Sequence, residues 1–85
     1  MKCYEHAHVW IQFNPDAGAI SAAGVDYLGG THGWKQERLA ERRFPHEWWV
    51  DINTRLGRLS QDGWELVSVV GMSAATDFWF KRPIG

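Results

Sequence analysis

His6 and His8 stand two residues apart near the start of the chain. In an extended segment, residues of equal parity share a face, so the two imidazoles project from the same side. His-x-His at that spacing can supply two ligands to a divalent metal, with a third drawn from His32, from His46, or from Glu5 if the strand is distorted. Two histidines without a fixed third ligand read more simply as partly exposed side chains on a sheet face. No metal, cofactor or catalytic residue is therefore assigned. Cys3 differs in parity from His6, so thiol and imidazole face opposite ways and make no nucleophile–base pair. There is no serine-centred nucleophile elbow. The glycines at 29, 30 and 33 precede Trp34-Lys35 without the spacing of a phosphate loop. Arg38, Arg42 and Arg43 alternate with Glu37 and Glu41, which is the composition of a solvated face. Arg38 and Arg42 are retained as contacts for a carboxylate or phosphate.

These residues need elements to hold them. Residues 3–13 alternate, with Ala7, Val9, Ile11 and Phe13 on one face and Tyr4, His6, His8, Trp10 and Gln12 on the other, as in a half-buried strand. Trp48, Trp49, Ile52, Leu56 and Leu59 recur at helical spacing, so a helix is expected over about 46–61. Pro45 suits its first turn and Glu47 the positive end of its dipole. Asp51 and Arg55 are spaced for an ion pair along the helix. Gly63 is the natural stop, because it can take the left-handed conformation at a helix C-terminus.

Beyond Gly63 the period becomes two. Trp64, Leu66, Ser68 and Val70 point one way, and Glu65, Val67 and Val69 the other. Both sets contain large apolar residues, which predicts burial on both sides. A break follows over 71–76. A second strand then carries Phe78 and Phe80 on one face and Trp79 and Lys81 on the other, with Pro83 closing it, so that the two strands make a hairpin. Residues 14–44 read as a glycine-rich and charged insertion: a long loop that includes a short strand around 20–27, then 34–44 as a strand paired with 3–13 or a surface helix. Trp48, Trp49 and Trp64 are expected in or near the core. Trp10 and Trp79 are expected on the sheet face away from the helix.

The chain has 85 residues, enough for one domain that buries little more than ~60 % of its unfolded surface. Six Trp, four Phe and two Tyr exceed what one small core usually absorbs, which leaves aromatic surface for a partner or ligand. The formal charge of −1 argues against a dedicated nucleic-acid binder. One cysteine excludes an intrachain disulfide and a cysteine zinc cluster, and fits a reducing cytoplasm. No apolar run approaches the ~18 residues of a membrane span, and no export signal is read at the N-terminus.

The amphipathic helix, then Gly-Trp-Glu-Leu-Val-Ser-Val-Val, then a turn and an aromatic strand ending Phe-Lys-Arg-Pro, resembles the small bacterial domain-of-unknown-function 4177 family. The likeness covers residues 47–83, with weaker support from 4–13. Leu59, Gly63, Trp64, Glu65, Leu66, Val67, Phe80, Lys81 and Arg82 sit on its pattern. It implies an N-terminal strand, a helix and a C-terminal hairpin, and it offers no catalytic residues to carry over. Residues 14–44 depart from that compact pattern.

The expected fold is α+β: a small antiparallel sheet of three to four strands with one helix packed on one face. The uncovered face is expected to carry recognition through His6, His8, Trp10 and Trp79, with Arg38 and Arg42 as anion contacts, and self-association is expected through that face or through an edge. The expected role is a non-catalytic, homo-oligomeric binding or protein-interaction module. The alternatives are a protein that sequesters or senses a small nucleotide-like or anionic ligand, and a histidine-based metalloprotein or enzyme.

Overall fold

A computed structural model describes residues 3–14, 19–30, 34–72 and 74–84. It contains β1 (Tyr4–Asn14), β2 (Ala19–Leu28), β3 (Lys35–Arg38), α1 (Pro45–Gln61), β4 (Glu65–Met72) and β5 (Ala75–Pro83). The fold is α+β, with one helix and a five-stranded antiparallel sheet in the order β3-β2-β1-β5-β4. The sheet thus exceeds the three to four strands read from the sequence. The additional strand comes from residues 14–44. Ala19–Leu28 is a full ten-residue strand, and the short charged strand pairs with β2 instead of with β1.

The even–odd reading of β1 holds. Ala7, Val9 and Ile11 are fully buried, opposite Tyr27, Val25 and Ala23 of β2 and Phe80, Phe78 and Thr76 of β5. Two apolar clusters lie under the helix. Leu59 meets Ala7, Val9, Val25, Trp64 and Phe80, and Trp48 with Ile52 meets Ile11, Ile20 and Ala23. The N-terminal half of α1 therefore covers one end of β1 and its C-terminal half the other. Burying a side chain of this size contributes roughly 1.5–3 kcal/mol.

The helix ends as its residues dictate. Asp62 caps it, Gly63 takes φ +87°, and the backbone N–H groups of Gly63 and Trp64 donate to Ser60 O (3.2 Å) and Leu59 O (2.9 Å). That pair of bonds is a Schellman motif, and its usual hydrophobic contact is supplied by Leu59 and Trp64 in one cluster. Arg82 braces the same corner. Its guanidinium lies 4.4 Å from the Trp64 ring, hydrogen bonds Glu5 at 2.6 Å and donates to the Asp62 carbonyl at 3.1 Å.

Three expectations fail, each for a physical reason. Trp49 is 47 % exposed and touches Phe13 only at a ring distance of 6.4 Å, because the helix turns Trp48 to the core and Trp49 past its margin. Asp51 and Arg55 do not pair along the helix. Asp51 accepts two bonds from Arg42 (2.7 and 3.2 Å) and Arg55 donates to Glu37 (2.8 Å), so tertiary partners outcompete the local one. Finally, β4 is not buried on both sides. It is an edge strand, and a register shift between Leu66 and Ser68 changes its phase. Leu66 and Val69 lie opposite Phe80 and Phe78 on the helix side, while Ser68 and Val70 lie opposite Trp79 and Asp77 on the other. The helix backbone approaches β2 most closely and leaves this edge bare. Among the described residues no helix is long and apolar enough to cross a membrane.

Candidate functional site

The sheet face away from α1 gathers most of the residues chosen for recognition. His8 is the centre. Its β1 position places it opposite Asp26 of β2 and Trp79 of β5, with Asp77 on the diagonal. The imidazole stacks flat on the Trp79 indole, with 4.0 Å between ring centroids and 4° between planes. Its Nε2 lies 2.5 Å from Asp77 Oδ1, and its Nδ1 faces Asp26 Oδ2 at 3.8 Å. The ring is held on one face by Trp79 and at Nε2 by Asp77, with the Asp26 carboxylate beyond hydrogen-bond distance on the Nδ1 side.

Trp10 occupies the next position along β1 on the same face, opposite Gly24 and Asp77. Its indole lies over Gly24. A Cβ at residue 24 would come within 2.5 Å of the Trp10 ring and 2.8 Å of the Glu37 carbonyl oxygen. Glycine is required there because a ring and a backbone already fill the space. Arg38 of β3 reaches over Trp10, 5.9 Å from the ring, which is within cation–π range. Arg38 forms no ion pair with a carboxylate among the described residues.

Between these side chains runs an open groove of about 460 Å³. It is bounded by His8, Trp10 and Gln12 on β1, by Asp26, Gln36 and Arg38 to one side and by Asp77 to the other. Its volume falls in the range of small-molecule sites, roughly 300–1,000 Å³. Two polar atoms of residues that line it, Trp10 Nε1 and Asp26 Oδ1, are buried and have no hydrogen-bond partner among the described residues. Such an unmet donor or acceptor typically costs about 1–3 kcal/mol.

Not all the selected residues converge. His8, Trp10 and Arg38 line the groove, and Trp79 backs His8 from β5. His6 shares the face but is exposed and sits opposite Leu28 and Lys81, away from the groove. Arg42 lies in the segment before α1 on the helix side. It is held there by Asp51, whose hydrogen bond and charge raise the guanidinium pKa above its usual value, with Glu47 adding to the effect. It is not part of this site. Glu37, on the helix side of β3, is also committed. A hydrogen bond from Lys35 holds its carboxyl below the usual range, with the nearby Arg55 charge acting the same way and partial burial opposing both.

Asp26, Asp77, Gln36 and Gly24 were not singled out from the sequence. Asp77 shares parity with Trp79 and Asp26 differs in parity from Val25. Both therefore declare an outward orientation once their segments are known to be strands.

The geometry bears on chemistry directly. His8 Nε2 is engaged by Asp77, and Nδ1 faces the Asp26 carboxylate from beyond hydrogen-bond distance. Among the described residues no three His, Cys, Asp or Glu side chains form a group fit to hold a metal ion. His32, considered as a third ligand, lies outside the described residues, and His46 stacks on Phe44 at the start of the helix. No protein-family model, no curated protein and no solved structure matches this chain.

Proposed function

We propose that this chain is a small, non-catalytic binding module that works as a homo-oligomer and takes a small ligand in the groove of its outer sheet face. The observation that carries the reading is the groove itself, lined by Trp10 and by an Arg38 that forms no ion pair with a carboxylate among the described residues. The Trp10 face and the Arg38 guanidinium favour a planar molecule with an anionic group, which keeps a nucleotide-like ligand ahead of a neutral sugar or an aliphatic amine. The family resemblance over residues 47–83 is compatible with this role and adds no chemistry to it.

The test is a two-dimensional NMR titration with a panel of nucleosides, nucleoside monophosphates and aromatic carboxylates. The indole N–H signal of Trp10 is assigned by its disappearance in Trp10→Phe. A ligand of the proposed class shifts that signal first, and Arg38→Ala weakens its binding about tenfold or more, as expected for one charge-assisted contact. Saturable binding that leaves the Trp10 indole unmoved, or no binding by any member of the panel at millimolar concentration, contradicts the proposal.

A further inference from the structure

Leu66, Val67, Val69 and Val70 of β4 are between 45 % and 56 % exposed. They do not lie on one face. Leu66 and Val69 turn to the helix side, Val70 turns to the groove side, and Val67 is the extra residue at the register shift, with no partner on β5. A helix or a flat ligand laid against either face covers one set and leaves the other in water. A strand hydrogen-bonded alongside β4 covers both, because its own side chains continue both faces of the sheet.

We infer that β4 pairs antiparallel with β4 of a second copy of this chain about a two-fold axis, joining the two sheets into one. The inference rests on the homo-oligomer reading above and supplies its geometry. The occupant is identified by charge and register. Glu65 is the only ionisable residue in Glu65–Met72, and it stands at the end of the strand. A two-fold axis sends the two copies of Glu65 to opposite ends of the pair, so no like charges oppose.

The stretch beyond the register shift, residues 68–72, pairs regularly with β5 from Ser68 to Met72. An axis through its middle sets Val70 against the partner's Val70 on one face and Val69 against the partner's Gly71 on the other. Among the described residues, apart from its chain neighbours, no atom lies within 4 Å of where a Gly71 side chain would begin, which leaves room there for the incoming valine. The opposite edge of the sheet is the four-residue strand Lys-Gln-Glu-Arg, which offers nothing apolar to add to. Pairing therefore closes at two copies and does not propagate. A single edge with four half-exposed aliphatics belongs to the small end of protein interfaces, below about 1,200 Å² in total, so the dimer is expected to be weak.

Light scattering of the full chain from about 10 µM to about 1 mM tests this. The native chain is expected to rise from the monomer mass of 9.8 kDa to twice that value. Val69→Lys and Val70→Lys, one on each face of β4, are expected to stay at the monomer mass across the series. Val50→Lys puts the same charge on an exposed valine of the helix and is expected to dimerise like the native chain. As a second measurement, Val70→Cys in a Cys3→Ser background is expected to give a disulfide-linked dimer under mild oxidation. A native dimer that persists in both β4 lysine variants overturns the β4 assignment and leaves the oligomer reading standing. A native chain that stays at 9.8 kDa at every concentration overturns both.

Discussion

At one edge of the sheet β3 has four residues, Lys35–Arg38, and every one is polar or charged. At the other, β4 has eight residues, Glu65–Met72, with one charge at its end and four half-exposed aliphatics. The first edge is guarded and also tied down. Glu37 is bound to Lys35 (3.0 Å) and to Arg55 of the helix (2.8 Å), and the Leu39 N–H donates to the Ala23 carbonyl just past the strand. At the second edge the devices against pairing, Glu65 and the register shift near Leu66, are confined to the start of the strand and leave the rest of it regular. Short length and charge are the ordinary means by which natural sheets prevent edge-to-edge association. A chain that applies them to one edge and omits them from the other has an asymmetry with a consequence. One edge ends the sheet, and the other is free to extend it.

The contrast can be broken most severely at Gly24. An alanine there collides with the Trp10 ring and the Glu37 carbonyl, and the backbone of β3 cannot yield without leaving β2. Gly24→Ala is expected to cost about 3 kcal/mol in denaturant unfolding and to free β3 from the sheet. An equally stable variant would show that β3 is not held in the way described.

One substitution made at two places gives the next largest effect. Val25→Ala on β2 removes a fully buried side chain and is expected to cost about 2 kcal/mol. Val69→Ala on β4 removes one that is 53 % exposed, and below the concentration of association it is expected to cost under about 1 kcal/mol. Equal losses would mean that β4 is covered within its own monomer.

The smallest effect sharpens the guarded edge. The Glu37 carboxyl is held below its ordinary range, chiefly by the Lys35 hydrogen bond. Its contribution is therefore complete above the unfolded-state value and is lost as pH falls through the lowered folded-state value. Glu37→Gln is expected to be less stable than the native chain near neutrality by under about 1 kcal/mol, with the gap closing in acid. Thermal melts across that range check the sign. A gap that widens in acid would contradict it.

Much of this architecture could be read from residue types alone, where the signal is local. β1 alternates, α1 has its apolar stripe, and Gly63 announces the stop that its φ of +87° confirms. β2 was harder to read, because Ala22, Ala23 and Gly24 are small for reasons that lie elsewhere. The room a larger residue would occupy at 24 belongs to the Trp10 indole, a neighbour from another strand. The burial of β4 was misread for a related reason. Alternating aliphatics look alike in a buried strand and in an edge strand, and only the path of the helix over β2 distinguishes them. Within the candidate site, the shared face of His8, Trp10 and Trp79 followed from parity. The recruitment of Asp26 and Gln36 depended on strands whose pairing the sequence did not declare, and the loss of Arg42 followed from the pull of Asp51.

The central claim, that β4 is an edge built to receive another strand, is tested most directly by hydrogen exchange in residues 65–72 at low and high protein concentration. In an antiparallel pair alternate amides point away from the neighbour, so β4 has N–H groups that β5 does not engage. Those amides are expected to exchange rapidly in dilute solution and to slow at least tenfold as the concentration rises, while the amides of Lys35–Arg38 keep the same rates throughout. Outward amides of β4 that exchange at one rate at every concentration, or slowing that appears at β3 instead, would contradict the account.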